Sequence, residues 1–120
     1  MAAQIGIMIM SGAWDGTLFS FSSEAGHGVW ENGAWVIRIG RDADNDLCLK
    51  EDEFSSRHHA RLLCWRNGIQ LQDQESRNKT YIDAGEDDKP LERGATVDLQ
   101  PGQLFRVGRT WMRIERLEMS

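Results

Sequence analysis

The sequence contains 120 residues, with 14 Lys and Arg against 19 Asp and Glu, so its formal net charge is −5. This length is sufficient for one domain with its own hydrophobic core, and we expect a single domain over residues 1–120. The acidic balance argues against a nucleic-acid scaffold, which needs a basic face to displace counterions. No apolar run is long enough to span a bilayer, and the first residues lack the basic start of a signal peptide, so we expect a cytoplasmic protein that binds no membrane.

Short β-branched or alternating segments, separated by turn residues, follow one another along the chain. In the first half, the predicted strands are Ile5–Met10, Thr17–Phe21, Ala34–Ile39, Leu47–Leu49 and Ala60–Trp65. In the second half, they are Ile69–Asp73, Thr80–Asp83, Ala95–Leu99, Leu104–Val107 and Trp111–Leu117. Asn67-Gly68 predicts a two-residue hairpin turn, and residues 85–89 with their acidic run predict a charged loop.

The spacing of these segments predicts the fold class. Many short strands with glycine-rich turns are typical of an all-β sandwich or barrel built mostly from antiparallel strands. No window keeps a helical period over three turns, so we predict no long α-helix.

Polar side chains that suit an anion follow three of the predicted strands. Gly40-Arg41 ends one strand, Ser56-Arg57 precedes the next, and Arg77-Asn78 lies in a later connection. A phosphate monoester offers three acceptor oxygens, which a guanidinium can bond two at a time and a serine hydroxyl can supplement. Asn78 carries both a donor and an acceptor, which suits a peptide backbone. If the strands bring these connections to one edge, they form a cluster of donors.

Two other chemistries can be weighed from the same residues. Ser56 and His59 could suggest a nucleophile and its base, but there is no Gly-x-Ser-x-Gly elbow and no evident acid to orient the histidine. The histidines and cysteines lack the spacing of metal ligands. We therefore predict no enzyme, no metal and no cofactor.

Taken together, the sequence resembles a forkhead-associated (FHA) domain. The residues that carry this resemblance are Gly40-Arg41, Ser56-Arg57-His58-His59-Ala60-Arg61-Leu62, Asn78-x-Thr80-Tyr81 and Leu99-Gln100-Pro101-Gly102-Gln103-Leu104-x-x-Val107-Gly108. The resemblance implies a β-sandwich of about eleven strands whose loops at one end bind phosphothreonine peptides. Family members prefer phosphothreonine to phosphoserine because the extra methyl group fills a small apolar notch.

The same resemblance implies a role for each candidate residue. Arg41 and Ser56 would contact the phosphate, with assistance from Arg57 and Arg77, and Asn78 would hold the peptide main chain. Two further residues, Gly40 and His59, would support the site structurally.

One position departs from the family pattern. The residue after the late asparagine is commonly glycine, and here it is Lys79. Glycine there permits positive φ, so lysine could reshape the loop or strain it.

The functional hypothesis is a phosphothreonine-dependent binding module that acts as a signalling adaptor downstream of Ser/Thr kinases. Its expected partner is a phosphothreonine-containing protein or peptide, and the domain could be one module of a larger protein. The alternative is an FHA-fold scaffolding or oligomerisation module that binds its partner without phosphate.

Overall fold

The computed structural model describes residues 2–83, 85 and 87–120. Within these residues the chain forms twelve β-strands and two single-turn 3₁₀ helices, Gly12–Trp14 and Ser23–Ala25. The strands are β1 Ala3–Ile9, β2 Leu18–Ser22, β3 Val29–Glu31, β4 Ala34–Gly40, β5 Leu47–Cys48, β6 Ala60–Trp65, β7 Gly68–Asp73, β8 Thr80–Asp83, β9 Asp88–Pro90, β10 Thr96–Leu99, β11 Phe105–Val107 and β12 Thr110–Met119.

These strands form two sheets. The first sheet has the order β2-β1-β12-β11-β8-β9, and the second has the order β10-β7-β6-β4-β3, with β5 paired in parallel to β4. The other pairs described above are antiparallel, as in β1 with β12 and β6 with β7. The predicted all-β class is therefore confirmed.

A single buried cluster joins the two sheets into a sandwich. β6 shows how the strands contribute to it, since successive side chains point to opposite faces: Ala60, Leu62 and Cys64 are buried, and the three residues between and after them are partly exposed. Ile5 and Ile7 from the first sheet and Ile37 and Leu62 from the second belong to the same cluster, and each is at most 1% exposed. The hydrophobic effect of this burial holds the sheets face to face.

Two local expectations differ from the structure. Residues 88–90 form the edge strand β9. Asp88 and Lys89 belong to it although they were predicted to lie in the charged loop, because the main chain pairs with β8 without any apolar alternation. The hairpin turn consists of Arg66 and Asn67, one residue earlier than predicted, since Trp65 pairs with Gly68. The predicted loop also included Glu86, which lies outside the described residues.

The connections that carry the candidate residues lie at one end of the sandwich. β4 and β11 end there, and β6, β8 and β12 begin there, as the pairs Ile39–Ala60, Val107–Thr80 and Val107–Thr110 show. The two ends of the chain lie at the opposite end, where Ala3 pairs with Met119. Among the described residues, no helix is long and apolar enough to cross a membrane.

Candidate functional site

The end of β4 is held tightly against the connection that precedes β6. The Arg41 N–H donates to the Ser56 carbonyl at 2.9 Å. A Cβ atom added to Gly40 would overlap the Arg57 carbonyl and come within 2.9 Å of the Asn45 amide nitrogen. Only glycine allows this close approach, and it leaves the Arg41 side chain exposed beside Ser56 and Arg57.

The Ser56 hydroxyl connects two of the three predicted stretches. Its Oγ accepts a hydrogen bond of 3.0 Å from the Arg77 N–H. Because this bond uses an acceptor lone pair, the hydroxyl proton remains available for donation to a ligand. Ser56 is half-buried and Arg77 is exposed, so the hydroxyl lies at the base of an accessible surface.

Asn78 closes the same cluster from the other side. Its Nδ2 donates to the Phe54 carbonyl at 2.9 Å, which fixes the side chain across two connections. Lys79 follows with φ at +63°, so it occupies the left-handed conformation for which glycine is usual. The lysine therefore preserves the loop geometry and incurs some strain.

His59 lies beneath these loops and is fully buried. Its Nδ1 accepts from the Ser56 N–H at 2.9 Å, and its Nε2 lies 2.9 Å from the Lys79 carbonyl. Since Nδ1 is an acceptor, we assign the ring proton to Nε2, which donates to that carbonyl. Burial lowers the pKa of His59, so the ring is neutral near pH 7 and joins two loops through both nitrogens.

The same geometry bears on nucleophilic catalysis. His59 contacts the main-chain nitrogen of Ser56, whereas the Ser56 hydroxyl accepts from Arg77. The other ring nitrogen faces a carbonyl and not a carboxylate. Ser56 and His59 therefore lack both the contact between hydroxyl and imidazole and the orienting carboxylate that a nucleophile and its base require.

Two contacts stabilise the exposed connection after Arg41. Asn45 is buried, and its Nδ2 donates to the carbonyls of Asp42 and Arg57 at 2.8 Å each. At the surface, His58 Nε2 lies 2.9 Å from an Asp44 oxygen, and this hydrogen bond lowers the pKa of Asp44. Both contacts join the Arg41 connection to the Ser56 connection.

Two buried acids that support these loops were not identified from the sequence. Asp52 accepts from the N–H groups of Phe54 and Arg109 at 3.0 and 2.8 Å. Asp73 is 1% exposed and accepts from Thr80 Oγ1 at 2.7 Å. Burial alone would raise the pKa of Asp73, but hydrogen bonds outweigh burial and lower it. Asp52 lies in a charged stretch whose local pattern gives no sign of burial, whereas Asp73 shares the buried face of β7 with Leu71, a signal that the alternation of that strand contained.

The structure therefore brings the predicted site residues together at one end. Arg41, Ser56, Arg77 and Asn78 are linked through hydrogen bonds between their connections, and Arg57 follows Ser56 directly. Among the described residues, the guanidinium groups of Arg41, Arg57 and Arg77 form no ion pair and no hydrogen bond, and all three residues are exposed. The surface can bind an anion through guanidinium and hydroxyl donors.

Comparison with known families is consistent with this geometry. Residues 37–108 match the profile of the FHA domain, which covers more than half of the chain. The chain belongs to the FHA domain family. This FHA domain is also 38% identical over 73 residues to an ABC transporter ATP-binding/permease protein of Mycobacterium tuberculosis. The match covers 61% of the chain and spans only 8% of the length of that relative.

Solved structures share the fold of this FHA domain. An FHA structure from a study of phosphothreonine-dependent interactions has a TM-score of 0.67 at 19% identity, with 97% of each chain covered. The FHA domain of the CT664 protein from Chlamydia trachomatis has a TM-score of 0.69 at 18% identity, with 92% of this chain and 95% of that chain covered. At such identities the similarity establishes the fold alone.

Proposed function

We propose that this FHA domain is a phosphothreonine-dependent peptide-binding module that acts as a signalling adaptor downstream of Ser/Thr kinases. The observation that carries the proposal is the hydrogen bond from the Arg77 N–H to the Ser56 hydroxyl, which joins two donor-bearing loops. In this proposal Arg41 and Ser56 bond the phosphate oxygens, Arg57 and Arg77 add positive charge, and Asn78 bonds the peptide main chain. Gly40 and His59 maintain the loop positions.

The charge distribution supports this function. The protein is acidic overall, with a net charge of −5, yet Arg41, Arg57, Arg77 and Lys79 are exposed on neighbouring connections at one end. A phosphorylated residue carries about −1.5 to −2 charges near pH 7 and so gains favourable interactions with such a cluster. The structural relative studied for phosphothreonine-dependent interactions shares this fold and supports the same ligand class.

The test uses a phosphothreonine-oriented peptide library and an unphosphorylated library of identical design. The proposal predicts retention of the phosphorylated library alone. A selected peptide should then bind Arg41→Ala about 10- to 100-fold more weakly, since a charge-assisted hydrogen bond contributes about 1.5–3 kcal/mol. Arg57→Ala should weaken binding less, because Arg57 is assigned an assisting role.

Arg66→Ala is the matched control. Arg66 is an exposed arginine in the turn between β6 and β7, at the opposite end of the sandwich. Arg66→Ala removes the same charge as Arg41→Ala but far from the proposed site, so this variant should bind the peptide as tightly as the wild type does. Equal loss in Arg41→Ala and Arg66→Ala would reject the site. Equal retention of both libraries would favour the scaffolding module that binds without phosphate.

A further inference from the structure

An aromatic ring and a guanidinium group are stacked next to the proposed peptide site. The guanidinium carbon of Arg109 lies 3.6 Å from the centroid of the Phe54 ring. Phe54 is 41% exposed, and Arg109, in the turn between β11 and β12, is also exposed. A cation over an aromatic face is stabilised by the ring quadrupole, which favours one orientation of an otherwise flexible side chain.

A buried carboxylate fixes the main chain of both partners. Asp52 accepts from the Phe54 N–H at 3.0 Å and from the Arg109 N–H at 2.8 Å. It also accepts from the Thr110 hydroxyl at 2.7 Å, and a Cβ atom at Gly108 would lie only 2.6 Å from its oxygens. The turn is therefore drawn closely onto Asp52. Asp52 thus fixes the main chains of both stacked residues without a bound ligand.

The same pair adjoins the proposed peptide-binding residues. The Phe54 carbonyl accepts the Asn78 amide at 2.9 Å, and Phe54 is two residues before Ser56. A peptide main chain bonded by Asn78 would place a flanking side chain near Phe54 and Arg109. Among the described residues, the Arg109 side chain forms no ion pair with an acid of the protein.

From this arrangement we propose that Arg109, oriented by Phe54, selects an acidic side chain that flanks the phosphothreonine. The proposal rests on the proposed function. A guanidinium that stacks through its face keeps N–H donors at its edge, and these donors match a carboxylate in bidentate geometry. Aspartate or glutamate at one peptide position would thus be preferred, in addition to the phosphate that the Arg41 and Ser56 connections are proposed to bind.

The experiment scans each position around the phosphothreonine with all amino acids, using the wild type, Arg109→Gln and Arg66→Gln. Arg109→Gln removes the charge at an exposed site and keeps a polar, though shorter, side chain, so we expect it to fold. The wild type and Arg66→Gln should enrich Asp and Glu at one flanking position, and Arg109→Gln should lose this enrichment. Affinity for a peptide with the acid should fall about tenfold in Arg109→Gln.

A second peptide separates this role from general electrostatic attraction. When alanine replaces the acid, the wild type and Arg109→Gln should bind the phosphopeptide equally, and both should still require the phosphate. If Arg109→Gln binds both peptides tenfold more weakly than the wild type does, Arg109 attracts any anionic peptide, and its selective role is overturned.

The remaining outcomes are distinguishable. Phosphate-dependent binding without an acidic preference, or with a preference that survives Arg109→Gln, overturns this inference and leaves the proposed function intact. Failure of the wild type to distinguish the phosphorylated from the unphosphorylated library overturns both.

Discussion

Replacing His59 with alanine should lower the free energy of unfolding by about 3–4 kcal/mol. The substitution leaves the Ser56 N–H and the Lys79 carbonyl without their imidazole partners, which lie 2.9 Å away in each case. An unsatisfied buried polar group costs about 1–3 kcal/mol, and the lower value applies because these two bonds are only partly buried. Loss of a fully buried ring adds about 1–2 kcal/mol through lost packing.

Thermal unfolding measures this effect directly. An unfolding entropy of about 2.1 cal/mol/K per residue gives about 0.25 kcal/mol/K for a chain of 120 residues. His59→Ala should therefore lower Tm by about 12–16 °C. His58→Ala is the matched control, because His58 is the neighbouring histidine but has a side chain that is 53% exposed. Its hydrogen bond with Asp44 lies at the surface, so Tm should fall far less than in His59→Ala. Equal shifts in the two variants would refute the reasoning.

Three further predictions concern the same loops. Because burial lowers the pKa of His59, the unfolded chain binds the proton more readily, and the stability contributed by His59 declines as pH falls below about 6.5. The difference in unfolding free energy between the wild type and His59→Gln, measured in urea, should thus be smaller near pH 5 than near pH 7.5, and a constant difference would contradict this. Lys79→Gly should stabilise the protein by up to about 1 kcal/mol in urea unfolding, because glycine adopts the φ of +63° at this position without strain. Lys79→Ala keeps a Cβ atom and should not stabilise it. Equal effects of the two substitutions would exclude strain at this position. Gly40→Ala should lower the free energy of unfolding by more than about 2 kcal/mol, because its Cβ would overlap the Arg57 carbonyl. The control Gly6→Ala should be nearly neutral, since its Cβ would meet only a flexible side chain at 3.4 Å. Similar melting temperatures for the two variants would argue against close packing at Gly40.

The strands that could be predicted from sequence are those whose side chains alternate. β6 and β8 have the predicted bounds, because one face of each strand packs into the sandwich. β9 could not be predicted in this way, since Asp88, Lys89 and Pro90 are all exposed and the strand exists only through main-chain pairing with β8. Periodicity reports burial and is uninformative where an edge strand buries no side chain.

The site shows the same division. Arg41, Ser56 and Asn78 could be selected as candidates because their chemistry suits a phosphopeptide and their connections were expected to meet. Asp52 could not be selected, because it lies between two other acids and its partners Arg109 and Thr110 are more than 50 residues away in the sequence. Such a pairing depends on how the turn between β11 and β12 packs against the connection between β5 and β6, and no local pattern contains that information.

The pairing of β1 with β12 determines how the domain would respond to mechanical force. The two strands are antiparallel neighbours, and both chain ends emerge together, with the Ser120 N–H bonded to the Ala2 carbonyl at 2.9 Å. Tension applied through both ends would open this pair like a zipper, from Ala3 and Met119 toward Ile9. Hydrogen bonds would break one after another, so the domain should yield at lower force than one whose terminal strands must slide past each other. The end of this strand pair at Ile9, which is nearest the binding loops, would be the last to separate.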